Sequence, residues 1–302
     1  MLFYKEPDTN MLSTELIQKI KRMHIRSRRQ VDSMMAGQYK SVFRGVGIEF
    51  EEVRAYVPGD EVKSIDWKVS ARMGQPFVKR YREEREQVVM LLVDMSASGR
   101  FGTTDRLKME LAVEIAAIMA FNAIRNNDKA GAILFTDRVE RYIPPKKGAG
   151  HVWRLIREIV GFTPQHTGTS IDSAVRFLGS VLPRRAVCLL ISDFLDDGYL
   201  DQLTIASKKH DVIGVLLSDP GDFTLPASGI LTAADFETGR RAAVDLAHGP
   251  TRQRIEAATR SRHRQVAAEM KRAGIDCIEM GTDQDTAAVL SAYFRYREKR
   301  FH

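Results

Sequence analysis

The sequence predicts an α/β fold, a doubly wound and mostly parallel sheet, preceded by an N-terminal helix and a small β-rich unit. Two observations predict the sheet. Six short apolar segments recur between residues 88 and 281, and segments with helical spacing fall between most of them. Four of the six are nearly unbroken apolar runs, as expected of parallel strands covered on both faces. A third observation, turn chemistry around Pro58-Gly59, sets the first 86 residues apart.

Within residues 13–36, Leu16, Ile20, Met23, Ser27, Val31 and Met34 recur at three-to-four spacing, which predicts a helix with a narrow docking stripe. Its other faces carry Lys19, Lys21, Arg22, Arg26, Arg28 and Arg29, with no acidic residue between positions 19 and 29. A basic amphipathic helix can lie on a membrane surface. Here the stripe has no aromatic anchor, so a solvated charged face is the favoured reading. Residues 40–86 are short alternating pieces around Val57-Pro58-Gly59-Asp60. Pro fixes one negative φ and Gly accepts the positive one, the signature of a type II turn.

From Val88 onward the strands expected are 88–94, 130–136, 139–145, 186–193, 211–219 and 275–281. Helices are expected at 106–125, 151–160, 170–181, 251–273 and 285–299. Gly239 between two alternating runs predicts a β-hairpin insertion near 229–247. The expected domains are therefore 1–86, the helix and β-rich unit, and 87–302, the α/β domain.

Composition limits the class. With 302 residues, 44% hydrophobic and 28% charged, the chain can bury a core, which excludes a predominantly disordered or collagen-like protein. No apolar run reaches the roughly 18 residues of a membrane span. The start, MLFYKEPDTN, lacks the features of a secretory signal. The two cysteines, Cys188 and Cys277, lie in apolar runs and read as buried thiols, so a cytoplasmic location is expected. The formal charge of +7 favours acidic partners, but it is spread over many helices, so nucleic acid is not the expected partner.

Ligands of such a sheet bind beyond the carboxyl ends of its strands. The first strand ends in Asp94-Met95-Ser96-Ala97-Ser98, three oxygen donors that a tight loop can turn toward one point. They are hard donors, suited to Mg²⁺ or Mn²⁺ and poor for zinc. The competing role is capping of the next helix. His166-Thr167-Gly168-Thr169-Ser170 precedes a helix and offers either a hydroxyl ligand or an N-cap, and Asp193 ends another apolar strand on the same rim.

The ordered set Asp94, Ser96, Ser98, Thr169 and Asp193 resembles the metal-ion-dependent adhesion site of von Willebrand factor A domains. Gly168-Thr169-Ser170-Ile171 with Ala174-Val175 is similar to the helix start of that family, and Thr167 is a second candidate for the threonine. Upstream, the run from Gly47 to Asp60, Ile65-Asp66-Trp67-Lys68, Ser70-Ala71-Arg72 and Val78-Lys79-Arg80-Tyr81 resemble the hallmark of the bacterial "domain of unknown function 58" family. The resemblance implies a bound Mg²⁺, or Mn²⁺ or Ca²⁺, completed by an acidic residue of a client or partner. It also implies partnership with a MoxR-type AAA+ ATPase, as a non-catalytic adaptor in protein maturation or complex assembly.

Enzyme signatures are weaker. There is no phosphate-cradling P-loop, Gly168-Thr169-Ser170-Ile171-Asp172 has Asp where a nucleophile elbow needs Gly, and no histidine pair has zincin spacing. His166 reads as a loop residue rather than a general base. A Mg²⁺-dependent phosphohydrolase would need a second carboxylate near Asp94, and position 96 is Ser. A nucleic-acid or membrane-surface module would use the basic helices, including 251–273 with its seven Lys and Arg against two Glu. Asp196 and Asp197 read as the start of the next helix or as outer helpers of the site. Asp60, Asp66 and Trp67 read as structural residues of the hallmark.

Overall fold

The computed structural model describes residues 47–84, 87–237 and 239–301, so the helix expected at 13–36 lies outside the described residues. Two compact units emerge, Phe43–Gln87 and a larger one that carries the chain from Val88.

In the smaller unit, β1 (Gly47–Ala55) pairs antiparallel with β2 (Phe77–Glu84), and a bulge falls between Phe50 and Glu52. Between them lie a 3₁₀ turn (Val62–Ser64) and α1 (Trp67–Met73). The expected turn is present: Gly59 has φ 113°, and the Asp60 N–H donates to the Val57 carbonyl at 3.0 Å. Helix α1 was not expected, although its signals stand in the sequence. Asp66 accepts from the N–H groups of Lys68 and Val69, and Gly74, at φ 70°, ends the helix. The hallmark acids are thus used within the unit. Asp60 holds the Arg54 guanidinium at 2.7 and 2.8 Å, and Asp66 lies 3.2 Å from Lys79 Nζ. Trp67 is 68% exposed.

The larger unit opens with β3 (Val88–Asp94), a 3₁₀ turn (Ala97–Arg100) and α2 (Lys108–Arg125). There follow β4 (Lys129–Phe135), β5 (Val139–Lys146), α3 (Ala149–Val160), α4 (Ile171–Val181), β6 (Val187–Ser192) and α5 (Leu200–Lys209). Next come β7 (Asp211–Ser218), α6 (Pro220–Phe223), β8 (Ile230–Ala234) and β9 (Arg241–Asp245). The unit closes with α7 (Gly249–Arg272), β10 (Asp276–Gly281) and α8 (Thr286–Phe301).

The main sheet has the order β10-β7-β6-β3-β4-β5, and all its pairs are parallel except β4 with β5. Only residues 136–138 join β4 to β5, too few for a crossover, so β5 turns back as an antiparallel edge. The six expected strands are these six. Helix α5 was not expected, because its apolar stripe buries only Leu203 and Ala206. The hairpin expected near 229–247 is β8 with β9, and Gly239 takes φ 69°.

Helices cover both faces of the sheet. Met90, Leu92, Ile133, Phe135, Cys188 and Leu190 pack with apolar residues of α4, α5 and the end of α7. By alternation, Val89, Leu91 and Val93 point to the other face, where α2 packs with α3 and α8. Among the described residues no helix is long and apolar enough to cross a membrane.

Candidate functional site

Counted from β3, the sheet order is 3-2-1-4-5-6, the doubly wound arrangement whose ligand crevice opens where the chain reverses direction across the sheet. That point lies between β3 and β6. Asp94 is the last residue of β3, Asp193 follows the last residue of β6, and Val93 pairs with Ile191 one step below. Sheet topology therefore joins two carboxylates 99 positions apart in the chain.

Asp94 is 6% exposed. Its Oδ1 accepts from the Ser96 N–H at 2.9 Å, and its Oδ2 accepts from the Ser192 hydroxyl at 2.5 Å. Ser96 and Ser98 hold their hydroxyl oxygens 3.0 Å apart. Ser96 opens the 3₁₀ turn, yet its side chain accepts no backbone N–H, so capping does not account for its hydroxyl.

The third segment arrives through backbone bonds. The Ala97 N–H donates to the Thr167 carbonyl at 2.9 Å, and the Ser170 N–H donates to the Thr136 carbonyl at 2.8 Å. Ser170 caps α4 by accepting from the Ser173 N–H, which leaves Thr169 out of the cap. The Thr169 hydroxyl instead donates to Glu237 Oε1 at 2.6 Å, and the Thr167 hydroxyl donates to the Glu237 carbonyl at 3.1 Å.

Asp193 lies in a strained, over-determined loop. Phe194 adopts φ 54°, rare for a bulky residue, with its ring fully buried. The Phe194 N–H donates to the Ser192 hydroxyl at 2.9 Å, and Arg262 donates to the Phe194 and Asp196 carbonyls. Asp196 does not open a helix, since α5 starts at Leu200. Its carboxylate accepts from the Ile171 N–H at 2.8 Å and ties the Thr169 loop to the Asp193 loop. The exposed Asp197 pairs with Arg262 at 3.4 Å. His166 turns to Asp137, 4.0 Å away.

The electrostatics show how crowded the carboxylates are. Asp94 is pushed well above the ordinary carboxylate range, first by burial and then by the charge of Asp193, against the opposing bonds from Ser192 and Ser96. Glu237 is also raised, first by burial, with Asp193, Asp235 and Asp196 adding to it against the bond from Thr169. A buried cation lies beside Asp193. Lys108 Nζ lies 3.4 Å from Asp193 and 2.9 Å from Asp222; burial works against its charge, but the two carboxylates outweigh burial and hold its pKa above the usual lysine value.

The Ser96 and Ser98 hydroxyls have the spacing of neighbouring ligands on a hard cation. Neighbouring ligands of an octahedral Mg²⁺ stand about 3 Å apart, the separation of the two serine hydroxyls. Among the described residues no three His, Cys, Asp or Glu cluster as metal ligands, so a cation at this rim has to use hydroxyls with carboxylates. Sequence reading missed Lys108, Ser192 and Glu237. Ser192 could have been noticed beside Asp193. Glu237 reaches Thr169 across 68 positions and left no local signal.

The larger unit is thus a doubly wound, mostly parallel α/β domain with a polar rim at its sheet switch point. The chain belongs to the family described as "Protein of unknown function DUF58", whose model matches residues 52–265. It is 29% identical over 290 residues to the uncharacterized proteins Rv1480 of Mycobacterium tuberculosis and Mb1516 of Mycobacterium bovis, covering 94% of this chain and 90% of theirs. It is 28% identical over 107 residues to the uncharacterized protein YeaD of Bacillus subtilis, covering 35% of this chain and 25% of that protein. Among solved structures, BatB from Bacteroides thetaiotaomicron is 16% identical with a TM-score of 0.44, over 70% of this chain and 99% of that one. The SpRpn10 VWA domain is 11% identical with a TM-score of 0.38, over 68% and 94%.

Proposed function

We propose that the protein is a non-catalytic interaction module whose partner binding depends on a divalent cation. The supporting observation is the convergence of Asp94, Ser96, Ser98, the Thr169 loop and Asp193 on the sheet switch point, with the Ser96 and Thr169 hydroxyls not engaged in capping. Asp94, Ser96, Ser98, Thr169 and Asp193 would hold Mg²⁺, Mn²⁺ or Ca²⁺. When bound, the ion supplies an electrophilic position for an acidic residue of the partner. Hydroxyls in place of further carboxylates leave that position attractive to an anion. Adhesion is favoured over hydrolysis because the position two residues after Asp94 is Ser96, so that loop supplies no second carboxylate beside Asp94.

The partner we propose is a MoxR-type AAA+ ATPase, with the chain acting as its adaptor in protein maturation or complex assembly; this part rests on membership of the family. Calorimetric titration of Mg²⁺ or Mn²⁺ into wild type and Asp94→Ala tests the site. Asp94→Ala should lose cation binding while keeping its circular dichroism, and chelator should release the ATPase from wild type in a pull-down. Equal cation affinity in the two proteins would refute the reading. Turnover of a phosphate ester that dies with Asp94→Asn would replace it with hydrolysis, and binding of nucleic acid that weakens with salt but ignores chelator would replace it with a basic module.

A further inference from the structure

The fold divides the seven Lys and Arg residues of α7 into two groups. Arg252, Arg260 and Arg262 turn inward, donating to the carbonyls of Leu246, of Phe223, and of Phe194 and Asp196. Arg254, Arg264, Lys271 and Arg272 stay on the exposed side and form no ion pair among the described residues. Arg264 and Arg272 bond carbonyls of their own helix, those of Arg260 and Ala268. No exposed acidic residue of α7 joins them. Glu256 and Glu269 are half-buried, Glu256 accepting from the Leu225 N–H at 2.8 Å and Glu269 from the Gln265 amide at 2.9 Å. We propose that this outer face of α7 docks an acidic helix of a partner protein. The inference does not rest on the cation site.

Charge complementarity carries it furthest. From Arg254 to Arg272 the face runs about 27 Å, a row of like charges whose mutual repulsion an acidic surface relieves. The shape between the charges indicates which acidic surface. At the helical period, Ala257, Ser261 and Ala268 align along the middle of the exposed face, with Arg264 and Lys271 to one side and Arg254 and Arg272 to the other. Short side chains there let a second helix approach to about 8 Å between axes, while the long basic side chains flank it and reach its carboxylates. A phosphate backbone needs only the charges and has no use for a recessed strip. A bilayer needs large apolar side chains to insert, and the exposed residues of α7 include no Trp, Phe or Leu. The helix is also held rigidly, by its inward arginines and by the buried Val266 and Met270, so docking on it costs little ordering.

The test uses the full chain with chelator present. The probe is a fluorescent, stapled Glu/Ala-rich helix of about 20 residues, long enough to span the face. The same peptide, unstapled and with prolines in its middle, keeps the charge and loses the helix. Wild type should bind the helix about tenfold more tightly than the proline form, and less tightly as salt is raised. Arg254→Glu combined with Lys271→Glu should weaken helix binding about a hundredfold. Ala257→Gln combined with Ala268→Gln keeps every charge, and should weaken the helix about tenfold while leaving the proline form unaffected. These positions are exposed, so circular dichroism of the variants should match wild type. Equal affinity for the two peptide forms, or full affinity in the charge-reversed variant, would overturn the proposal. Tighter binding of a DNA duplex or of phosphatidylserine vesicles through the same basic residues would replace it with a nucleic-acid or membrane surface. Because binding is read without divalent ions, failure of the cation reading leaves this result unchanged.

Discussion

Lys108 is the residue on which the site's charge balance turns. Its ammonium is buried between Asp193 and Asp222, where removing one partner leaves carboxylates without compensation. Lys108→Met should therefore cost about 3–5 kcal/mol in urea unfolding with chelator present. Mg²⁺ should restore part of that loss, because a cation held by Asp193 replaces the missing charge. A second buried group sits at the start of β7, away from the strand ends that form the rim. His210 is 2% exposed, its ring nitrogens make no hydrogen bond among the described residues, and burial pushes its pKa down from 6.5 to about 4. Between those values the unfolded chain binds the proton and the folded chain does not. Stability from this residue is thus full above pH 6.5 and is lost as pH falls toward 4. The loss amounts to about 3 kcal/mol, and His210→Leu should flatten the unfolding free energy across this window relative to wild type. Neither lysine nor histidine carries a sequence signal of its role, since each is defined by groups remote in the chain.

Among the elements, the β4–β5 edge shows how tightly backbone packing constrains one position. A Cβ on Gly131 would lie 2.7 Å from the Ile143 carbonyl oxygen and 2.8 Å from the Pro145 nitrogen, backbone atoms beside the irregular pairing of β5. Gly131→Ala should cost about 1–3 kcal/mol. Gly214→Ala on β7 should cost less, because its Cβ meets the flexible Met270 thioether at 2.6 Å. Thermal melts of the two variants check the difference. Element identity was legible wherever a local pattern is strong: β3, β4, β6 and β7 as apolar runs, and α2 and α4 as stripes. It failed at α5, whose buried stripe is two residues, and at α1, a seven-residue helix set by Asp66 and Gly74 inside a β-patterned segment.

For the whole molecule, the site is a consequence of strand order. Asp94 and Asp193 meet because β3 and β6 are neighbours at the reversal of the winding, and backbone bonds from residues 97 and 136 place the Thr169 loop beside them. A cation that binds only this assembled rim should stabilise the fold by mass action, about 2.7 kcal/mol at a hundred times its Kd. Wild type should show that gain in Mg²⁺-dependent melting, and Asp193→Ala should show none. The basic surplus of the chain adds an attraction for acidic surfaces that salt screens, whereas ion coordination at a buried rim persists at high salt.

Local chemistry was sufficient to write down the strands, most helices, the hairpin and the five candidate oxygen donors in chain order. Apolar period, turn residues and side-chain hardness are properties of neighbouring positions, and they can be read without coordinates. The ion pair of Lys108 with Asp193, the hydroxyl of Ser192 on Asp94, and the arrival of Glu237 at Thr169 depended on folding. These contacts join residues 68 to 98 positions apart, and such separations close only when the sheet order and the hairpin's landing place are set.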